Sequence, residues 1–162
     1  MTKIDGPCLL TTTATRPPRL SLHTTDRGPA LREAAHPRCI ACSPGSHLGL
    51  GLEFHDVGDG SVQSTFDCAA VFEGYPGCLH GGIISTILDS AMTNCLFAKG
   101  HQAVTAELLV KFHAPVALAR SALTEARATR DMFPLFVMEA SLKQDGETKV
   151  TATAKFVVPR GL

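Results

Sequence analysis

The stretch Tyr75-Pro-Gly-Cys-Leu-His-Gly-Gly-Ile-Ile-Ser-Thr-Ile-Leu-Asp-Ser-Ala-Met92 combines a turn with the start of a helix. The pair Pro76-Gly77 interrupts regular structure, and the pair Gly81-Gly82 lets the backbone come close to another group. From Ile83 to Leu96 the apolar residues recur at intervals of three and four, which predicts a helix from about Gly82 to Ala98. The glycine pair therefore lies where a helix begins.

The start of this helix is suited to stabilising negative charge. The first N–H groups of a helix have no partner within it, and the macrodipole places about half a positive charge there. A carbonyl oxygen that becomes negative during a reaction would be stabilised by the Gly81 N–H. Asp89 lies two turns further along, on the polar side of the helix with Thr86, Ser90 and Thr93. A helix start that activates an electrophile and a nearby carboxylate together indicate acyl-transfer chemistry.

The rest of the chain has mainly the pattern of β-strands. Two alternating stretches separated by a turn at Asp59-Gly60 predict a hairpin, namely Leu50, Leu52 and Phe54, then Val62, Ser64 and Phe66. Four further strands are predicted at about 103–113, 120–130, 135–144 and 148–158, with Asp145-Gly146 as the turn between the last two. One apolar helix among these strands indicates an α+β fold in which an antiparallel sheet curls around the helix.

The segments Phe72-Glu-Gly-Tyr-Pro-Gly, His80-Gly-Gly-Ile and Leu88-Asp resemble the hotdog-fold acyl-CoA thioesterases of the phenylacetic-acid-degradation (PaaI-like) family. The resemblance covers about residues 41–159 and is most specific from 72 to 92. It implies a hotdog fold, in which a curled antiparallel β-sheet wraps one long central helix. It also implies an acyl-CoA substrate, hydrolysis of an acyl or aryl thioester to free acid and coenzyme A, and no cofactor.

The resemblance implies three catalytic residues. Gly81 matches the family glycine whose N–H points at the thioester oxygen, and Asp89 matches the acid that acts as nucleophile or as general base for water. Thr105 lies where the family often has a Ser or Thr that helps to orient the water. Two turns of helix separate Gly81 from Asp89 by roughly 11–12 Å, so one chain does not easily bring both to the same carbonyl. The family solves this with a homodimer in which the glycine of one subunit faces the acid of the other, and a dimer of dimers is also compatible.

Five residues are expected to bind the substrate: His80, Gly82, Glu73, Tyr75 and Lys111. In the family this histidine shapes the turn and its contacts with the substrate, and it is not the base. Some relatives carry Asn or Gln six or seven positions before it, where this chain has Gly74 and Glu73. Either Glu73 takes part, or that contact is missing. Lys111 is a candidate for the phosphates of coenzyme A.

A possible metal site precedes the first strand. The four candidate ligands His36, Cys39, Cys42 and His47 fall within a dozen residues, and Cys-x-x-Cys is a common zinc half-site. The spacing does not match a standard zinc knuckle, and a second cysteine pair is missing from this stretch. Related thioesterases often carry a Cys-x-x-Cys just before such a strand. The expectation is a packed structural segment without metal.

Composition narrows the class of protein. A chain of 162 residues has the length of one domain, and 15 basic against 15 acidic residues give no overall field that recruits nucleic acid or an anionic membrane. Apolar runs are too short for a membrane span or a signal-peptide core, so a cytoplasmic protein with free thiols is expected. Residues 1–37 are expected to be a flexible or loosely docked segment, with a short helix at 31–35, and residues 38–162 the hotdog domain.

Two other classes of function are compatible with a hotdog fold. One is a non-catalytic hotdog module that binds an acyl thioester as a ligand or carrier. The other is a hotdog dehydratase, which the sequence disfavours. A dehydratase would pair a histidine in a pocket loop with a helix acid, whereas His80 directly precedes the helix.

Overall fold

A computed structural model describes residues 27–44, 46 and 49–160; residues 1–26, and with them most of the predicted N-terminal segment, lie outside it. In chain order the elements are α1 (Arg27–Ala35), β1 (His55–Asp56), β2 (Ser61–Asp67), a 3-10 turn (Ala70–Phe72), α2 (Gly81–Ala98), β3 (Val104–Phe112), β4 (Ser121–Met132), β5 (Leu135–Gln144) and β6 (Glu147–Val157).

The strands form one six-stranded antiparallel sheet in the order β1-β2-β4-β5-β6-β3. The predicted turn between β5 and β6 is confirmed, since Asp145 and Gly146 have φ values of 54° and 81°, as the turns favoured in tight hairpins require. Strand β3 follows α2 and reaches the far edge of the sheet, where it pairs with β6 alone among the described strands.

The long helix α2 is the centre of the core. Its residues Ile87, Leu88, Ala91 and Met92 have no exposed surface. Alternate residues of the strands face it, because successive side chains of a strand point to opposite faces. The largest buried side chains from the sheet are Phe136, Met138, Leu142, Val150 and Phe156. The apolar arc of the helix is therefore wrapped by the sheet, which confirms the predicted α+β architecture.

The prediction of a strand through Leu50, Leu52 and Phe54 is wrong, because the first strand begins only at His55. Only His55–Asp56 pairs with β2. Residues 50–54 have no strand partner among the described strands, because Gly51 has a φ of 62° that interrupts the extended backbone. The Leu50 N–H donates instead to the carbonyl oxygen of Ile40, at 2.7 Å. This stretch therefore follows the loop at residues 40–42 rather than the sheet.

Helix α1 contains the short helix predicted at residues 31–35 and packs against α2. The hydrogen-bond pattern of this helix extends to His36, whose N–H donates to the Arg32 carbonyl oxygen at 2.7 Å. The His36 ring then lies edge-on to Phe97 of α2, with 5.0 Å between the ring centroids and an interplanar angle of 86°. The described part of the N-terminal segment is thus docked on the central helix.

Candidate active site

The N-terminus of α2 is capped by the histidine of the His-Gly-Gly motif. His80 has φ −63° and ψ 131°, and its Nδ1 accepts a hydrogen bond of 2.9 Å from the Gly82 N–H. Nδ1 is then the unprotonated ring nitrogen. The Gly81 N–H has no acceptor among the residues that the structure describes. Of the two glycine N–H groups, only that of Gly81 is therefore free to bind a ligand oxygen.

The glycines around His80 differ in how much space they have. A Cβ at Gly74 would lie 3.0 Å from the His80 Cα, and one at Gly82 would lie 3.1 Å from the His80 Nδ1. Both positions are too tight for a side chain unless His80 moves. A side chain at position 74, such as the Asn or Gln of some relatives, would press on the histidine. At Gly81 a Cβ would lie 3.5 Å from the Cζ of Phe112, which is an ordinary van der Waals contact.

Glu73 stabilises the loop before the helix. Its Oε1 accepts a hydrogen bond of 2.7 Å from the Gly77 N–H, and its backbone forms an isolated antiparallel bridge with Leu79. Tyr75 lies at the tip of the same loop and is 84% exposed. One carboxylate oxygen of Glu73 is therefore used inside the loop, while the Tyr75 ring is open to a ligand.

Asp89 and Thr105 are brought together by the fold. The Thr105 Oγ1 donates a hydrogen bond of 2.6 Å to Asp89 Oδ1, although the two residues lie on different elements. Asp89 is half-buried, and its Oδ2 has no hydrogen-bond partner within the described part of the chain. This leaves one carboxylate oxygen oriented by Thr105 and the other available for chemistry.

The register shift in β3 places Thr105 and Lys111 on opposite faces of the sheet. Thr105 pairs with Phe156, which faces the core, whereas Lys111 pairs with Thr151, and the register shifts between Thr105 and Glu107. Because directly opposed residues share a face of the sheet, Thr105 faces α2 and Lys111 lies on the outer face. Strict alternation would put residues 105 and 111 on one face, but the bulge between Thr105 and Glu107 reverses the alternation.

Phe112 is a residue of the site that the sequence pattern does not reveal. It lies on the helix-facing side of β3, and its ring edge approaches Gly81. The ring is nonetheless 54% exposed, although large aromatic side chains are usually buried. Strand alternation assigns it to an apolar face, but only the packing of β3 along α2 brings it to the helix start.

A second group of reactive side chains lies in the turns that follow α1, beside α2. Ligand atoms of His36, Cys39 and Cys42 all lie within 4.8 Å of one another, and His36 Nδ1 is 3.9 Å from Cys42 Sγ. Burial, together with the neighbouring Cys39, raises the pKa of the Cys42 thiol to about 11. Burial also lowers the pKa of His36, partly offset by Asp89. The fourth residue of the predicted set, His47, lies outside the described residues.

Comparisons with known proteins agree with this architecture. Residues 76–151 match the family model of the thioesterase superfamily. The acyl-coenzyme A thioesterase THEM4 of Mus musculus is 31% identical over 114 residues, which cover 67% of this chain and 49% of that protein. The chain thus spans about half the length of the curated relatives it matches.

Solved structures give the same result. A phenylacetic acid degradation-related protein of Ralstonia eutropha is 28% identical, with a TM-score of 0.61 over 67% of this chain and 86% of its own. A Streptococcus mutans protein bound to acetyl CoA is 21% identical, with a TM-score of 0.63 over 67% of this chain and 88% of its own.

A sheet wrapped around one long helix, with a His-Gly-Gly cap at the helix start, defines a hotdog-fold protein, which confirms the fold implied by the sequence resemblance. This fold agrees with the match of residues 76–151 to the thioesterase superfamily and with the similarity to the Ralstonia eutropha structure. None of the helices in the described ranges is long and apolar enough to cross a membrane.

Proposed function

We propose that the protein is an acyl-CoA thioesterase that hydrolyses an acyl or aryl thioester to a free acid and coenzyme A. The observation that carries this proposal is the hydrogen bond from Thr105 to Asp89, which orients a carboxylate on the same helix that begins with the free Gly81 N–H. The match of residues 76–151 to the thioesterase superfamily supports it, as does the acetyl CoA bound to the Streptococcus mutans neighbour.

The Gly81 N–H would activate the substrate. A thioester oxygen that accepts its hydrogen bond lies at the positive end of α2, so negative charge developing on that oxygen is stabilised. A single donor of this kind changes the rate by about 10²–10³-fold. The ring of Phe112 beside Gly81 would exclude water from one side of this hydrogen bond and strengthen it.

Asp89 would supply the attack on the carbonyl carbon. Its free oxygen either adds to that carbon itself or removes a proton from a water molecule that adds. In both routes the carbon–sulfur bond breaks and the sulfur leaves with its electron pair, taking up a proton to give the thiol of coenzyme A. In the first route the acyl group is left on Asp89 as a mixed anhydride, which a water molecule then hydrolyses to the free acid and the restored carboxylate. The Thr105 hydroxyl, which donates a hydrogen bond to Asp89, keeps its oxygen lone pairs to accept a hydrogen bond from that water.

The active unit would be a homodimer. Asp89 lies eight residues after Gly81 on one helix, about 12 Å along the axis, which is too far for both to reach one carbonyl carbon.

The exposed edge of β3 is where a second copy of the chain could pack and bring its Gly81 to Asp89. No further strand of the described chain pairs with this edge, and it exposes Val104, Leu109 and Phe112. The partner's Gly81 would then face Asp89, and the assembly would contain two chains, or four as a dimer of dimers.

Residues around this interface would bind the rest of the substrate. His80 and Gly82 would shape the helix start, while Glu73 would hold the loop that presents Tyr75. Lys111 is exposed and has no carboxylate partner among the described residues, so it could bind the phosphates of coenzyme A across the sheet edge.

A reducing compartment suits this protein, and we place it in the cytoplasm. The five cysteines that the structure describes are all free thiols, whereas proteins of oxidising compartments usually form disulfides. We also propose that the hotdog domain comprises residues 38–162, and that residues 1–37 form a separate segment whose α1 docks on α2.

The function is tested with purified protein and a panel of acyl- and aryl-CoA esters, following the release of free thiol. A thioesterase releases one thiol for each ester consumed, with saturation kinetics. A non-catalytic hotdog module would bind some of these esters, as seen by calorimetry, without releasing thiol. That result would exclude the proposed activity.

A further inference from the structure

We propose that His36, Cys39 and Cys42 bind a Zn²⁺ ion that links the end of the N-terminal helix α1 to the turn at residues 39–42, beside the central helix. This inference is independent of the thioesterase activity proposed above.

The geometry of the three side chains fits a zinc site. Tetrahedral zinc, with bonds of about 2.3 Å to sulfur and about 2.0–2.1 Å to nitrogen, places its ligand atoms roughly 3.5–3.8 Å apart. His36 Nδ1 and Cys42 Sγ are already 3.9 Å apart, and no pair of ligand atoms among His36, Cys39 and Cys42 exceeds 4.8 Å. A contraction of about 1 Å at most would complete the three bonds.

The backbone holds these ligands in place before any metal binds. The Cys39 N–H donates to the His36 carbonyl oxygen at 3.3 Å, and the Ser43 N–H donates to that of Cys39 at 3.0 Å. Two consecutive turns thus bring residues 36, 39 and 42 to one side. Ala41, between the two cysteines, is 1% exposed and belongs to the core. Because the turns are anchored, little conformational entropy would be lost when the ion binds.

The donor set selects the type of ion. Two thiolates and one imidazole are soft and borderline ligands, which favour zinc over magnesium or calcium, because these two ions bind oxygen. Two thiolates also neutralise the charge of a divalent cation, which suits a half-buried position between helices. Three protein ligands leave one coordination position, which water would fill.

The location indicates what the ion would do. His36 follows directly after α1, and its ring packs edge-on against Phe97 of α2. A zinc ion at this point would join the end of α1 to the turn at residues 39–42 and would fix the His36 ring where it packs against the central helix. The main alternative for these cysteines is a disulfide between Cys39 and Cys42. A disulfide does not need the imidazole that converges on both sulfur atoms.

The first test measures metal in the full chain, purified without a histidine tag under reducing conditions. Elemental analysis should find about one zinc per chain. The variant Cys39→Ser/Cys42→Ser should fall to background, whereas Cys78→Ser, which alters a partly buried thiol outside the cluster, should keep its zinc. Zinc retained by the double-serine variant would overturn the assignment, as would a Cys39–Cys42 disulfide found by mass spectrometry in the native protein.

A second measurement does not depend on the folding of variants. The unmodified protein is stripped of metal with a chelator, reduced and titrated with Zn²⁺ and, separately, Co²⁺. One equivalent of Zn²⁺ should raise the Tm, and Co²⁺ should give the charge-transfer and visible bands of a tetrahedral thiolate complex. No change in Tm and no thiolate bands at one equivalent would contradict the proposal, whether or not the protein hydrolyses thioesters.

Discussion

The hydroxyl of Thr105 donates a hydrogen bond of 2.6 Å to Asp89 Oδ1 and thereby joins the edge strand to the central helix. The register shift after Thr105 is needed for this contact, because it lets the threonine face α2 while Glu107 turns outward to Lys155. The pair is the part of the proposed site that a single chain completes by itself. Substitutions of Thr105 and Asp89 therefore test the proposed chemistry without depending on a contact between protomers.

Replacing Asp89 by Asn should abolish turnover while leaving the fold intact. The amide has the same shape and can still accept the hydrogen bond from Thr105, but it can act neither as a base nor as a nucleophile. We expect kcat/KM to fall by at least about 10²-fold with an unchanged Tm and mass in solution. Glu107→Gln is the matched control, since it removes an exposed carboxylate from β3, the strand that contains Thr105. An Asp89→Asn variant as fast as the parent would exclude the assigned chemistry.

The role of Thr105 is tested by a pair of substitutions. Thr105→Val preserves the shape of the side chain but removes the hydroxyl, so Asp89 loses its hydrogen bond and the water its partner. We expect kcat to fall about tenfold or more, with a smaller change in KM. Thr105→Ser retains the hydroxyl and should keep most of the activity. Equal rates for the valine and serine variants would mean that the contact only stabilises the fold.

The N–H of Gly81 can be deleted without breaking the helix. Proline has no N–H and is well tolerated at the first position of a helix, and His80 already has the extended ψ of 131° that a residue before proline prefers. Gly81→Pro should lower kcat by about 10²–10³-fold while circular dichroism remains unchanged. Gly81→Ala, which keeps the N–H and only brings a Cβ to 3.5 Å from Phe112, should stay within a few-fold of the parent. An equally inactive alanine variant would indicate a steric effect.

Stability should decline in alkaline solution through Cys95. Burial raises the pKa of this thiol to about 11 from its ordinary value of 9.0. Between these values the unfolded chain has lost the proton and the folded chain still holds it, so the free energy of unfolding falls as pH rises, by up to about 1.4 kcal/mol per pH unit. Urea unfolding of Cys95→Ala should show a lower stability at pH 7 but a flatter decline from pH 9 to 11. The same slope in both proteins would contradict this.

Much of the fold follows from local sequence patterns. The helix predicted at 82–98 is observed at Gly81–Ala98, and the last two strands lie within a residue of their predicted limits. These elements have long, regular apolar periodicity and strong turn signals, so local preference and tertiary packing agree. The stretch at 50–54 also alternates, but Gly51 and the hydrogen bonds to the preceding loop override that pattern.

Contacts between distant elements set the details of the site. The segment Thr105-Ala-Glu107 contains neither Gly nor Pro, so its sequence does not predict the bulge that places Lys111 on the outer face. The approach of Phe112 to Gly81 depends on how β3 packs along α2, which periodicity does not encode. The Thr105–Asp89 pair is implied by the family resemblance, yet its hydrogen bond requires the observed register.

Whether two protomers share each active site is tested by mixing two inactive proteins, Gly81→Pro and Asp89→Asn, which are unfolded and refolded together in equal amounts. If each site combines Gly81 of one protomer with Asp89 of its partner, a mixed dimer contains one intact and one doubly altered site. Half of the dimers are mixed, so about a quarter of the wild-type activity should be recovered. A mixture no more active than the separate variants would contradict a shared site.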